Sequence, residues 1–149
     1  MKAKRYLENV RKLDTMIQNK IIEAEYWMSI AQGTSARQDC ERVQSSGSKQ
    51  KMADAVIQSI SIQDEVRMDI DRLINMKKEV IQTIEQLPWQ EYDLLHKMYI
   101  GIMSDDGIRY MDFKEVAEIN DRTYSWATTI HGRALKHLQD ILDERGIEK

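Results

Sequence analysis

From Lys2 to about Ala31 no Gly or Pro interrupts the chain, and apolar residues fall at Leu7, Val10, Leu13, Ile17, Ile21, Ala24, Met28 and Ala31. Spacings of three and four place them on one stripe of a single helix. A helix of this length spans about 45 Å and holds only if its stripe packs on another helix. The next periodic segment, from about Lys49 to Leu87, supplies that partner with Met52, Val56, Ile60, Val66, Ile70, Leu73, Val80, Ile84 and Leu87, interrupted by polar Gln63 and Lys77. Between them residues 32–48 carry Gly33, Thr34, Ser35 and the run RVQSSGS, which is loop chemistry, with Ser48 as N-cap of the second helix. The pattern predicts a 1–87 unit of two long helices joined by a 32–48 loop, as an antiparallel hairpin or a dimeric coiled coil.

Pro88 ends the second long helix or opens the next, and sets off residues 88–149 as a second, smaller domain. A short amphipathic helix follows from Trp89 to Ile100, with Gly101 as its stop. Ser-Asp-Asp-Gly between Ile102–Met103 and Ile108–Met111 signals a short β-hairpin over 102–111. Asp112 with Glu115 three residues on forms a capping-box start for a helix to about Ile119. After a turn at Asn120–Asp121, Thr123 is the N-cap of a last helix reaching about Arg145, with Gly146 as its stop. The expected fold is all-α: a long antiparallel helical hairpin or coiled coil, then a small helix-turn-helix domain.

Composition narrows the function. The chain has 149 residues, 22 Lys+Arg against 25 Asp+Glu, and no apolar run near the roughly 18 residues that a bilayer demands. The basic start MKAKRYLENV lacks the apolar segment of a secretory signal, so a cytoplasmic location is expected, with no membrane partner. One cysteine, Cys40, and three scattered histidines offer no disulfide framework and no zinc-type spacing. No nucleophile, base and orienting group can be nominated, so no enzyme, cofactor or metal is expected. Asp105, Asp106 and Asp112 lack EF-hand spacing, and the Ser45–Lys49 stretch lacks P-loop spacing.

The informative surface lies on the last helix. Ala127, Ile130, Ala134, Leu138 and Ile141 form its buried stripe, leaving Arg122, Ser125, Thr128, Thr129, Gly132, Arg133 and Lys136 on the far side. From Arg122 to Gln139 there is no Asp or Glu, and His131 and His137 are titratable additions. Such a face suits phosphates, and the short Thr side chains let a backbone approach a groove. Trp126 sits at the stripe's edge, where packing on the preceding helix outranks base stacking. Charge pulls the other way, because residues 88–149 hold 8 Lys+Arg against 12 Asp+Glu. Binding that depends on a second protein, or on dimerisation, fits that balance better than binding alone.

The segment FKEVAEINDRTYSWATTIHGRALKHL at 113–138 resembles the C-terminal helix-turn-helix of sigma factors, their region 4. It is closer still to phage and prophage regulators of the RinA/ArpU late-transcription type, whose E-x-[IV]-A-E, capped helix and H-G-R-A-L pattern matches Glu115, Val116, Ala117, Glu118, Thr123 and His131–Leu135. YLENVRKLD and ERVQSSGSKQKMADAV extend the resemblance over most of the chain. It implies a phage or prophage transcription regulator whose DNA-facing positions include Tyr124, Ser125, Thr128 and Thr129. The partners it implies are double-stranded DNA, RNA polymerase or another protein, and a second copy through the long helices. Together with the helical wheel, the DNA-binding residues expected are Arg122, Thr123, Tyr124, Ser125, Thr128, Thr129, Arg133 and Lys136. The alternative is an all-helical protein-interaction adaptor that does not bind DNA by itself.

Overall fold

A computed structural model describes residues 2–36 and 46–146. The elements are α1 (Lys2–Ala36), α2 (Ser46–Ile84), α3 (Trp89–Leu95), a π-helical turn (His96–Ile100), β1 (Ile102–Ser104), β2 (Gly107–Arg109), α4 (Phe113–Ile119) and α5 (Tyr124–Glu144). Among the described residues the fold is all-α apart from one antiparallel β-hairpin, in which Met103 pairs with Ile108. Both long helices run further than their Gly and Ser residues suggest. Helix propagation costs only about 1 kcal/mol at an isolated Gly, so α1 continues past Gly33, and Ser48 lies inside α2 instead of capping it. Cys40 and residues 42–45 of the RVQSSGS run lie outside the described residues.

Packing divides the chain into two compact units, Leu13–Leu73 and Met1–Lys12 with Ile74–Lys149. In the first, α1 and α2 run antiparallel, and α2 buries Ala55, Ser59, Ile62, Val66, Asp69 and Leu73. These positions alternate in steps of four and three, as a heptad seam requires. Ile60 and Ile70, expected in that seam, are instead 51% and 38% exposed, one residue out of phase. The buried polar residues are satisfied: Ser59 Oγ donates to the Ala24 carbonyl at 3.1 Å, and Lys20 Nζ donates to Asp69 Oδ2 at 2.5 Å. The Lys20 ammonium holds the Asp69 carboxyl below its ordinary pKa, and Asp69 in turn raises Lys20.

In the second unit the start of α1 and the end of α2 pack together, with Tyr6 Oη 3.3 Å from Thr83 Oγ1 and Ala3, Leu7, Val10, Val80 and Ile84 buried. The first residues of α1 also meet α5, where the Ala3 amide donates to Gln139 Oε1 at 2.9 Å. Residues 74–87 therefore pack with the elements that follow Pro88, which itself caps α3. The π turn leads into Gly101, whose φ of +95° is open only to glycine, and a Cβ there would lie 2.5 Å from Ile108 Cγ2. That close approach sets the hairpin against the turn.

Candidate nucleic-acid interface

Local chemistry starts both helices of the helical pair. Asp112 Oδ1 accepts from the Glu115 amide at 2.8 Å while Glu115 Oε2 accepts from the Asp112 amide at 2.9 Å, a complete capping box for α4. Asn120–Thr123 form the turn, helped by Asp121 at φ +51°, a conformation that Asp tolerates better than most residues. Thr123 then caps α5, its Oγ1 accepting from the Trp126 amide at 3.1 Å.

The roll of α5 is set by its inner side. Ala127, Ile130, Ala134, Leu135, Leu138 and Leu142 are buried, and α3 and α4 pack against the helix. Ile141, expected in the buried stripe, is only half-buried, and Leu142 takes that place. Polar contacts fix the rotation further. His137 Nδ1 lies 2.7 Å from Oε2 of Glu91, a carboxylate 2% exposed, and Tyr99 Oη lies 2.8 Å from His131 Nε2. Phe113 meets the His131 ring edge-on with centroids 5.0 Å apart. His131 is therefore part of the packing and not of the outer face. Burial, with a smaller contribution from Lys4, pushes its pKa below the usual value, so it brings no charge near neutral pH.

The opposite side is open. Arg122, Thr123, Tyr124, Ser125, Thr129, Arg133 and Lys136 are exposed and Thr128 is half-exposed, while a Cβ built on Gly132 would meet nothing within 4 Å. Arg122 and Thr123 lie in the turn, and the other six residues lie on α5. Among the described residues Arg122, Arg133 and Lys136 form no ion pair, and α5 has no acidic residue in its first turn. Its positive dipole end thus keeps its attraction for an anion.

Two details change the chemistry expected of this face. Thr128 Oγ1 and Thr129 Oγ1 both donate to the Ser125 carbonyl, at 2.9 and 2.8 Å, so their protons are engaged and each hydroxyl oxygen is left to act as an acceptor. Exposed Glu118 and Asp121 flank the turn and weaken the positive potential at its N-terminal margin. Tyr124, 59% exposed, leans its ring edge-on to Phe113 at 5.8 Å, and Trp126 is half-buried. Sequence reasoning missed Tyr99, Phe113 and Glu91 as the side chains that orient α5. Their distance along the chain from His131 and His137 leaves no local signal. Among the described residues no group of three or more His, Cys, Asp or Glu is placed to hold a metal ion, and no helix is long and apolar enough to cross a membrane. No family model, no curated protein and no solved structure matches the chain.

Proposed function

We propose that the chain is a DNA-binding transcription regulator of phage or prophage origin, acting at late promoters in the bacterial cytoplasm together with RNA polymerase or another protein. The observation that carries this reading is the outer side of α5. It is an exposed surface with no acidic residue from Arg122 to Lys136, whose three cations form no ion pair among the described residues, offered at the end of a four-residue turn from α4. From Arg122 to Lys136 the surface is about 20 Å long, and a helix of ordinary width enters a major groove about 12 Å wide. In this reading Arg122, Arg133 and Lys136 neutralise phosphates. Ser125 reaches base edges, and the Thr128 and Thr129 methyls touch thymine while their hydroxyl oxygens accept. Three phosphate contacts give only modest affinity, so a partner or a second copy completes the binding. A gel shift on late-promoter DNA from the encoding genome tests the face: Arg133→Glu with Lys136→Glu abolishes a shift that the wild type gives, and equal shifts refute the assignment.

The net charge of −4 over residues 88–149, with Glu118 and Asp121 exposed beside the turn, favours a second reading as a protein-interaction adaptor. Retention of the full chain on heparin at low salt supports DNA binding, and flow-through supports the adaptor.

A further inference from the structure

The segment from Glu85 to Asp93 joins the end of α2 to α3 and holds three carboxylates with no Lys, Arg or His. Two of the three are engaged: Oε2 of buried Glu91 meets His137 of α5, and Asp93 Oδ2 accepts from Lys97 Nζ at 2.6 Å. Glu85 is exposed, and it borders an open depression of about 350 Å³ whose other lining residues are Leu87, Trp89 and Tyr92. Neither Glu85 nor Trp89 meets a cation among the described residues.

The walls of this depression are held by the backbone. The Leu87 amide donates to the Ile84 carbonyl and the Tyr92 amide to that of Pro88, each at 3.0 Å. Trp89 and Tyr92, three residues apart on one side of α3, set their rings 5.6 Å apart and inclined by 37°, with Trp89 72% exposed. A single exposed aromatic is ordinary on a soluble surface. Here an indole, a second ring and an unpaired carboxylate border one concavity, a combination that attracts a cation and repels an anion. A guanidinium suits it better than an ammonium, because its plane stacks flat on an indole while its N–H fork donates to a carboxylate. A site with so exposed a wall encloses little of what enters it, whereas pockets for free small molecules bury most of the ligand. The cation therefore arrives on a larger surface.

The position fits a second protein as well. Helix α3 buries Glu91, Leu94 and Leu95 and packs on α5, while Trp89 and Tyr92 fall on the side away from those residues. A molecule seated there leaves the outer side of α5 open. We propose that Glu85, Trp89 and Tyr92 form a docking site for an arginine side chain presented by a partner protein. The site rests on the proposed function only for the partner's role, which is to complete binding that three phosphate contacts leave weak.

Nuclear magnetic resonance of the full ¹⁵N-labelled chain tests it, with acetyl-Gly-Arg-Gly-amide as the probe in low salt and circular dichroism as the control for folding. The Trp89 indole N–H and the Glu85 and Tyr92 amides are expected to shift and saturate with a dissociation constant of about 10 mM. Acetyl-Gly-Lys-Gly-amide binds at least about threefold more weakly. Trp89→Ala weakens the arginine peptide about fivefold and Glu85→Gln about threefold, with folding and duplex affinity unchanged. Absent shifts, shifts indifferent to Trp89→Ala, or equal binding of the lysine peptide overturn the proposal, as does saturation of the same resonances by a short oligothymidylate. Arginine binding by a chain that ignores DNA sinks the DNA reading and spares the docking site, and a chain that binds DNA but not the arginine peptide does the reverse.

Discussion

The Tyr99 hydroxyl lies 2.8 Å from Nε2 of His131, with the two rings inclined by only 18°. This contact joins the π turn to the middle of α5 and fixes which side of α5 meets water. Arg11 lies over the outer edge of the same cluster, its guanidinium 4.9 Å from the Tyr110 ring centre and 5.9 Å from that of Tyr99. A surface offered for recognition is useful only if its rotation is held, and here a hydrogen bond and three rings hold it.

Removal of the hydroxyl tests that coupling. Tyr99→Phe keeps the ring and deletes the bond, so stability falls by about 1 kcal/mol and the melting temperature by about 2–4 °C, measured by circular dichroism. An unchanged melting temperature shows that the bond does not hold α5.

The same cluster predicts a pH dependence. Burial depresses the pKa of His131 in the folded chain, so the unfolded chain binds the proton more readily. Stability contributed by the neutral ring is complete above the unfolded value of about 6.5 and is lost as pH falls below it toward the folded value. His131→Gln is expected to flatten the fall in melting temperature between pH 7 and pH 5.5. A fall as steep in the variant as in the wild type assigns the dependence to another group.

Gly132 separates stability from recognition. It sits in a helix interior with open space around it, so Gly132→Ala stabilises α5 by about 0.5–1 kcal/mol. Gly132→Gln keeps most of that helix gain but fills the space a duplex backbone would occupy. Higher melting temperature with weaker DNA binding is the expected result for Gly132→Gln. Unchanged DNA binding by that variant argues against close approach at this position.

In the Leu13–Leu73 unit, the Lys20–Asp69 pair predicts an acid limb. The folded pKa of Asp69 is depressed by Lys20, so the stability it contributes is present above the ordinary carboxylate value and is lost as pH falls through the folded one. Asp69→Asn is expected to lower the melting temperature at pH 7 and to remove part of the decline below about pH 4. A variant that melts like the wild type at both pH values refutes the pair's role.

What the sequence discloses follows the range of the interactions involved. The starts of α4 and α5, the stop at Gly146 with φ +61° and the Ile102–Ile108 hairpin rest on contacts within a few residues, and each is legible in the chain. The phase of α2 is not, because Ser59 and Asp69 occupy buried positions that hydrophobicity assigns to the surface. They are buried only because Ala24 and Lys20 answer them from α1. The π turn is hidden for a similar reason, since it depends on the Met111 amide donating to the Lys97 carbonyl at 3.0 Å. On the candidate interface the exposed residues follow from helical period. The inward turn of His131 toward Tyr99, thirty-two positions away, does not.

The central claim, that α5 meets DNA through Arg122, Arg133 and Lys136, is tested most directly by the salt dependence of affinity. Fluorescence anisotropy with a duplex between 50 and 200 mM salt is predicted to give a log–log slope near −3 per protomer, and Arg133→Gln to make it shallower by about one. An affinity that does not change with salt, or a variant whose slope equals that of the wild type, contradicts it.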